Sequence, residues 1–180
     1  MTRPASLPLR ALCLVLACAL LAACGFQLRG PRPMPFKSIY LSMNPYSSLA
    51  ADVKRQLRAN GNVIIADSAK EAEVQMVVVN DTREKAILTL KSDGTVREYQ
   101  LRQHFGFRLM DRNGLEVMPY NDIYVYRDIT FNDSQVLAKE QEEGQLYRDM
   151  ERDVVQQLLR RLSAAKVATP GAQSAPVVAP

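Results

Sequence analysis

The sequence predicts an α+β fold: a mixed, mostly antiparallel sheet of about four strands with two helices packed on one face. Three observations carry this. The turn dipeptides Asp93-Gly94 and Asn113-Gly114 divide an apolar-rich middle region into hairpin-connected strands. A short apolar stripe before that region and a longer one after it have helical spacing. The elements run β-α-(β)-β-β-β-α, segregated rather than strictly alternating, which places the helices together on one side of a sheet.

Each element has a local reason. Lys37–Met43 (KSIYLSM) is rich in β-formers and predicts the first strand. Ser47 or Ser48 then offers a helix N-cap, Leu49, Val53 and Leu57 recur at i, i+4 and i+8, and Gly61 stands where the helix must stop. This helix is the one crossover long enough to permit a parallel strand pair. Val63–Ile65 reads as a short extended piece. The segment 74–90 is a strand with a polar centre at Asn80–Lys85, where a bulge or bend is expected.

The next strand alternates most clearly. Tyr99, Leu101, Phe105, Phe107 and Leu109 share one face, with Gln103 the exception, and Glu98, Gln100, Arg102, His104 and Arg108 share the other. Ile123, Val125, Ile129 and Phe131 repeat the pattern, leaving Tyr124 and Tyr126 opposite the core. Those two tyrosines either serve an interface, as exposed aromatics often do, or lie under the long helix or a loop. That helix follows Asn132-Asp133-Ser134, with Asp133 or Ser134 as its cap. Its stripe is Val136, Leu137, Tyr147, Met150, Val154, Leu158 and Leu162.

The chemistry-bearing residues are sparse. Of 180 residues, 23 are Lys or Arg and 19 are Asp or Glu, a net charge of +4 too small and too mixed for a dedicated nucleic-acid binder. One histidine, His104, cannot build a His-based metal cage, and it sits among Gln100, Arg102 and Arg108 with no partner implied by sequence. Neither a nucleophile elbow nor a phosphate-binding glycine loop is present. No enzyme, metal or cofactor is expected. Lys91, beside the first hairpin, and Lys139, in the first turns of the last helix, are the basic residues best placed to meet phosphates; alone, each reads as a surface charge.

The N-terminus carries a sharper signal. Arg3 and Arg10 precede the apolar run Ala11–Ala23. As a helix its 13 residues would span roughly 20 Å at ~1.5 Å per residue, short of a ~30 Å bilayer core, so it reads as a secretory signal. It ends in Leu21-Ala22-Ala23-Cys24, which resembles the lipobox of bacterial lipoproteins, where the cysteine is acylated. Removal of Cys13 and Cys18 with the signal, and acylation of Cys24, leaves no free thiol, so the core must stabilise the fold without a disulfide. Gly25, rather than Asp, after the cysteine directs such lipoproteins to the outer membrane. Four segments are therefore expected: a signal peptide over 1–23, a lipidated N-terminus and Pro-rich tether over 24–36, a single domain over 37–163, and a disordered Ala/Pro-rich tail over 164–180.

From Cys24 to about Leu162 the chain resembles the LPS-assembly lipoprotein family LptE. The residues that carry the likeness are Cys24-Gly25-Phe26-Gln27-Leu28-Arg29, the helix stretch Val53 to Gly61 (VKRQLRANG), and Glu98-Tyr99-Gln100-Leu101. Val125-Tyr126-Arg127, Val136-Leu137-Ala138-Lys139 and Gln156 to Leu162 (QQLLRRL) complete it. The resemblance implies an outer-membrane lipoprotein that plugs and assembles the LptD β-barrel for lipopolysaccharide insertion, and that can bind lipopolysaccharide itself. It places the family's basic residues on Lys91 and Lys139. The competing reading is a lipoprotein adaptor or pilot for another outer-membrane assembly, without lipopolysaccharide affinity.

We predict that Cys24 carries the acyl chains. Cys24→Ala leaves an unprocessed or soluble protein, and mass spectrometry of the mature N-terminus checks it; a start elsewhere, or no added lipid, refutes the reading.

Overall fold

The computed structural model describes residues 33–166 apart from Asn62. The expected signal peptide, Cys24, most of the tether and most of the tail lie outside the described residues. Five strands form one sheet in the order β2-β1-β3-β4-β5. These are β1 (Ser38–Ser42), β2 (Ile64–Ile65), β3 (Val74–Leu90), β4 (Val96–Asp111) and β5 (Glu116–Thr130). Helix α1 (Ser48–Ala59) follows β1, and helix α2 (Val136–Ser163) closes the domain. The class is α+β, as predicted. The extra strand is the short piece at Ile64–Ile65, which pairs parallel to β1 after the α1 crossover. Two residues are too few for periodicity to announce a strand, and the pairing alone makes it one.

Local chemistry accounts for the helix ends. Ser47 caps α1, its hydroxyl accepting from the Ala50 N–H at 3.1 Å, and Gly61 follows the helix at φ +73°. At the start of α2 the expected cap is corrected. Asn132 accepts from the Ser134 N–H and opens a single 3₁₀ turn, Asp133–Gln135, and α2 begins after it at Val136 with Gln135 at its N-cap position and no side-chain cap. Both hairpins form where the turn dipeptides place them, but with a longer turn. Only Gly94 and Gly114 have positive φ, not the preceding Asp93 and Asn113, so each loop is one residue longer than a two-residue turn. The Lys91 N–H bonds the Thr95 carbonyl and the Asp111 N–H bonds the Leu115 carbonyl, enclosing three residues each. Carboxylates make this form favourable: Asp93 accepts from the Thr95 N–H, and Asp111 from the Asn113 and Leu115 N–H groups.

The core lies between the sheet and both helices. Ile39 and Leu41 of β1, Leu49, Val53 and Leu57 of α1, and Val154, Leu158 and Leu162 of α2 meet Phe105, Phe107 and Leu109 of β4. Phe36, assigned by sequence to the tether, is 3% exposed and belongs to this core, so the packed domain starts before residue 37. The α2 stripe needs the opposite adjustment. Its buried residues run from Met150 onward, whereas Leu137 is 76% exposed. The helix outruns the apolar surface beneath it.

Two sheet positions depart from plain alternation. Gly106 in β4 leaves a gap on the outer face that the Tyr120 ring of β5 covers, so closely that a Cβ there would meet the Tyr120 hydroxyl at 2.5 Å. Gln103 follows the alternation inward and is wholly buried; among the described residues neither amide atom has a partner at hydrogen-bond geometry, the Asp81 carboxyl being the polar group beside it. A buried amide without partners costs about 1–3 kcal/mol. Gln103→Met, close to it in volume, should therefore raise the unfolding free energy by about 1 kcal/mol in urea titrations with an unchanged m-value.

Candidate functional site

Three surfaces carry side chains able to recognise something. The first is the sheet face turned away from the helices. Tyr124 and Tyr126 lie there, 42% and 51% exposed, with ring centres 5.8 Å apart. Neither helix covers them, which decides between the two readings of their position. His104, directly across from Tyr124, stacks on its ring at 4.4 Å and stands 3.6 Å from an Asp122 carboxylate oxygen. Sequence spacing gave His104 no acidic neighbour; strand register supplies one from β5, 18 positions away. With the Tyr120 ring over Gly106, this face presents a row of aromatics bordered by Arg102, Asp122 and Asp128.

The second surface is the hairpin end of the sheet. Lys91 is exposed at the turn. Lys139 folds back from α2, its Nζ donating to the Thr130 hydroxyl at 3.0 Å and to Glu142 Oε2 at 2.8 Å. Thr130 pairs with Glu98, three residues beyond Thr95, the residue that closes the hairpin with Lys91. At ~3.4 Å per residue, Lys139 is thus anchored about 10 Å along the strand from the Lys91 turn. The two lysines share one end of the molecule, although each already stands beside other groups: Lys139 is bonded internally, and Lys91 lies near Asp93, whose carboxyl the Thr95 hydroxyl and N–H hold below the usual carboxylate range.

The third is a polar node that sequence reasoning missed. Glu151 of α2 is 5% exposed and accepts from the Ser48 hydroxyl of α1 at 2.6 Å and from the Arg83 guanidinium of β3. Arg83 also lies over the Tyr147 ring at 5.4 Å, and Tyr147 donates to the Glu84 carbonyl at 3.3 Å. Lys85 repeats the arrangement over Tyr99 at 4.5 Å while pairing with Glu143 at 2.6 Å. The partners are 103, 68 and 58 residues apart, so no local pattern announces them. Among the described residues no group of three or more His, Cys, Asp or Glu side chains is placed to hold a metal ion.

The comparisons agree with this architecture. A family model described as "LptE: Lipopolysaccharide-assembly" matches residues 36–162. The chain is 31% identical over 163 residues to the LPS-assembly lipoprotein LptE of Yersinia pestis, covering 85% of this chain and 75% of that protein. Among solved structures, an uncharacterized lipoprotein B from Nitrosomonas europaea aligns with a TM-score of 0.67 at 34% identity, over 78% of this chain and 91% of that one. Rare lipoprotein B from Shewanella oneidensis aligns with a TM-score of 0.61 at 26% identity, over 71% and 94%.

Burial raises the pKa of Asp81, which lies beside this node; the Arg83 charge pulls it down and the Glu151 carboxylate pushes it up again. A carboxyl whose folded pKa exceeds its unfolded value of 3.8 is destabilising when ionised, so stability is lost as pH rises through the window above 3.8. Asp81→Asn should therefore be more stable than the native protein at neutral pH. The advantage should shrink as pH falls towards 3.8, as read from thermal unfolding across an acid series.

Through its matched segment, its curated relatives and its fold, the chain belongs to the LptE lipopolysaccharide-assembly family.

Proposed function

We propose that the protein works at the outer membrane, held by acyl chains on Cys24 and facing the periplasm. There it assembles with and plugs an LptD-type β-barrel for lipopolysaccharide insertion. The observation that carries this is the conjunction of family membership with an uncovered aromatic sheet face. Tyr124 and Tyr126 are the partner-facing residues in this reading. Rings of this kind bury much area at little cost in side-chain entropy, and the bordering Arg102, Asp122 and Asp128 match a polar barrel interior better than a lipid phase.

Lipopolysaccharide itself is assigned to the hairpin end. Lys91 and Lys139 offer two ammonium groups to phosphates, and the geometry supports their acting together because one end of the sheet presents both. Lys139 must exchange Glu142 for the ligand, so the net gain is the difference between two ion pairs. Each phosphate contact is worth about 1.5–3 kcal/mol if partly desolvated, and well under 1 kcal/mol if it stays in water.

The test has two readouts. A photocrosslinking residue at Tyr126, in the full lipidated chain, should capture the inner wall of the barrel; adducts only with soluble periplasmic proteins overturn the plug. The double change Lys91→Asp with Lys139→Asp should weaken binding of purified lipopolysaccharide while circular dichroism shows the fold intact. Added salt should weaken native binding in the same direction. Unchanged binding in the folded double variant removes both lysines from the site and leaves the barrel role standing.

A further inference from the structure

Strand β1 pairs with β3 only from Val74 to Val77, yet β3 continues to Leu90. Along that continuation no strand lies on its outer side among the described residues. Register irregularities at Val79 and Leu88 bracket Asn80–Ile87, which runs without interruption against Gly106–Tyr99. The direction of its backbone groups follows from one bond. The Phe131 N–H donates to the Arg97 carbonyl at 2.9 Å, so odd-numbered residues of β4 face β5 and even-numbered ones face β3. Asn80, Thr82, Glu84 and Ala86, paired with those even residues, spend their N–H and C=O groups on β4. Asp81, Arg83, Lys85 and Ile87 present theirs outward, along an edge of about 27 Å at ~3.4 Å per residue.

The two long edges of the sheet are treated differently. On β5, Pro119 has no N–H and its carbonyl accepts from Asn121. The outward carbonyls of Asp122 and Tyr126 accept from Arg161 and Arg127, each at 2.8 Å. Such capping blunts an edge against pairing. On β3 the outward groups of Asp81, Arg83, Lys85 and Ile87 receive no side-chain bond among the described residues. Tyr147 reaches only the Glu84 carbonyl, which already faces β4.

A strand laid on this edge would continue the line of β1, beyond the Met43–Ser47 turn where Tyr46 stands 95% exposed. Its alternate side chains would enter a cleft of roughly 630 Å³ between α1, α2 and β3. Gly144 lines that cleft from inside the first half of α2, where glycine weakens a helix. A Cβ there would make only an ordinary 3.6 Å contact with Arg148, so nothing within the described residues demands the glycine. Arg83 and Arg152 are paired with Glu151 and Asp149, whereas Arg148, also lining the cleft, has no carboxylate partner among the described residues. An acidic side chain fits this position.

We propose that the outer edge of β3, Asn80–Ile87, takes an extended segment of the barrel partner as a sixth strand, with an acidic side chain of that segment against Arg148. This rests on the barrel-partner reading above and names where the partner's backbone is bound. The sheet would then be held on its aromatic face by side chains and on its β3 edge by main-chain bonds.

The experiment places a photocrosslinking residue at Thr82 or, separately, at Tyr126 in the full lipidated protein in its native envelope, and maps each adduct by mass spectrometry. Thr82 should give adducts confined to one short segment of the barrel chain that contains Asp or Glu. Ile87→Pro deletes an outward N–H without touching the β3–β4 ladder, and should cut the Thr82 yield about tenfold while Tyr126 adducts persist. Arg148→Glu should reduce it similarly and Arg148→Lys should restore it, which keeps the test valid should the proline variant unfold. Barrel adducts at Tyr126 but none at Thr82 overturn the strand and leave the plug; none at either overturns both. Thr82 adducts with a second copy or a soluble protein, or a yield that both Ile87→Pro and Arg148→Glu leave unchanged, also overturn it.

Discussion

Three strands outrun the apolar core, and most of the molecule's character follows from that mismatch. β3, β4 and β5 each hold 15 or more residues, while β1 has five and α1 twelve. Phe105, Phe107 and Leu109 share one buried cluster with Leu49, Val53 and Leu57, whereas the far half of β3 is tied to the first half of α2 by Lys85 with Glu143 and Tyr147 with the Glu84 carbonyl. Burying a large apolar side chain stabilises by about 1.5–3 kcal/mol, and that gain is concentrated at one end. The other end is held by a different chemistry.

That chemistry is ionic and aromatic. Glu151 stands at the boundary, bonded to α1 through Ser48 and to β3 through Arg83. Beyond it, Lys85 with Glu143, Tyr147 with the Glu84 carbonyl, and Lys139 with Thr130 fasten α2 to the strands. Half-exposed pairs of this kind contribute about 1 kcal/mol or less each and weaken with salt, whereas apolar packing does not. Removing Glu151 would cost more than a surface pair, since its carboxylate is buried and serves two donors from different elements.

Sequence made legible what repeats along the chain. The β4 alternation located Leu101, Phe105, Phe107 and Leu109 in the core and exposed Gln103 as the position that breaks the rule; the structure buries it regardless, because register fixes direction before polarity is consulted. The α1 stripe and both hairpins were readable for the same reason, although the exact turn was not, since Asp93 and Asp111 choose the longer loop through their own backbone contacts. Pairings across distant segments were not readable. Val136 and Leu137 continue an apolar stripe whose strand-side counterpart ends earlier, so periodicity overstated the packed length of α2. Tyr124 and Tyr126 were placed on the outer face by counting twos, whereas the Asp122 carboxylate beside His104 required knowing which strand lies next to which.

The division between an apolar end and a polar end also divides the work. Sites that open must come from regions whose local free energy of opening lies below that of global unfolding. The apolar end contains the residues that make unfolding cooperative, and it includes Phe36, so on the proposed lipid anchoring the N-terminal segment would join the strongest part of the domain. The hairpin end carries Lys91, Lys139, whose bonds to Thr130 and Glu142 a charged ligand can replace, and the outer side of β3, whose backbone groups take no side-chain bond among the described residues. Exchange of that kind leaves the core untouched. On the proposed plug reading, aromatic contacts on the outer face would add a third attachment that disturbs neither end, because Tyr124 and Tyr126 project from β5, whose opposite face is already buried. A sheet longer than its core thus gives one domain a fixed body and a rim whose contacts can be exchanged without unfolding the protein, and the proposed partner and ligand contacts all fall on that rim or on the outer face.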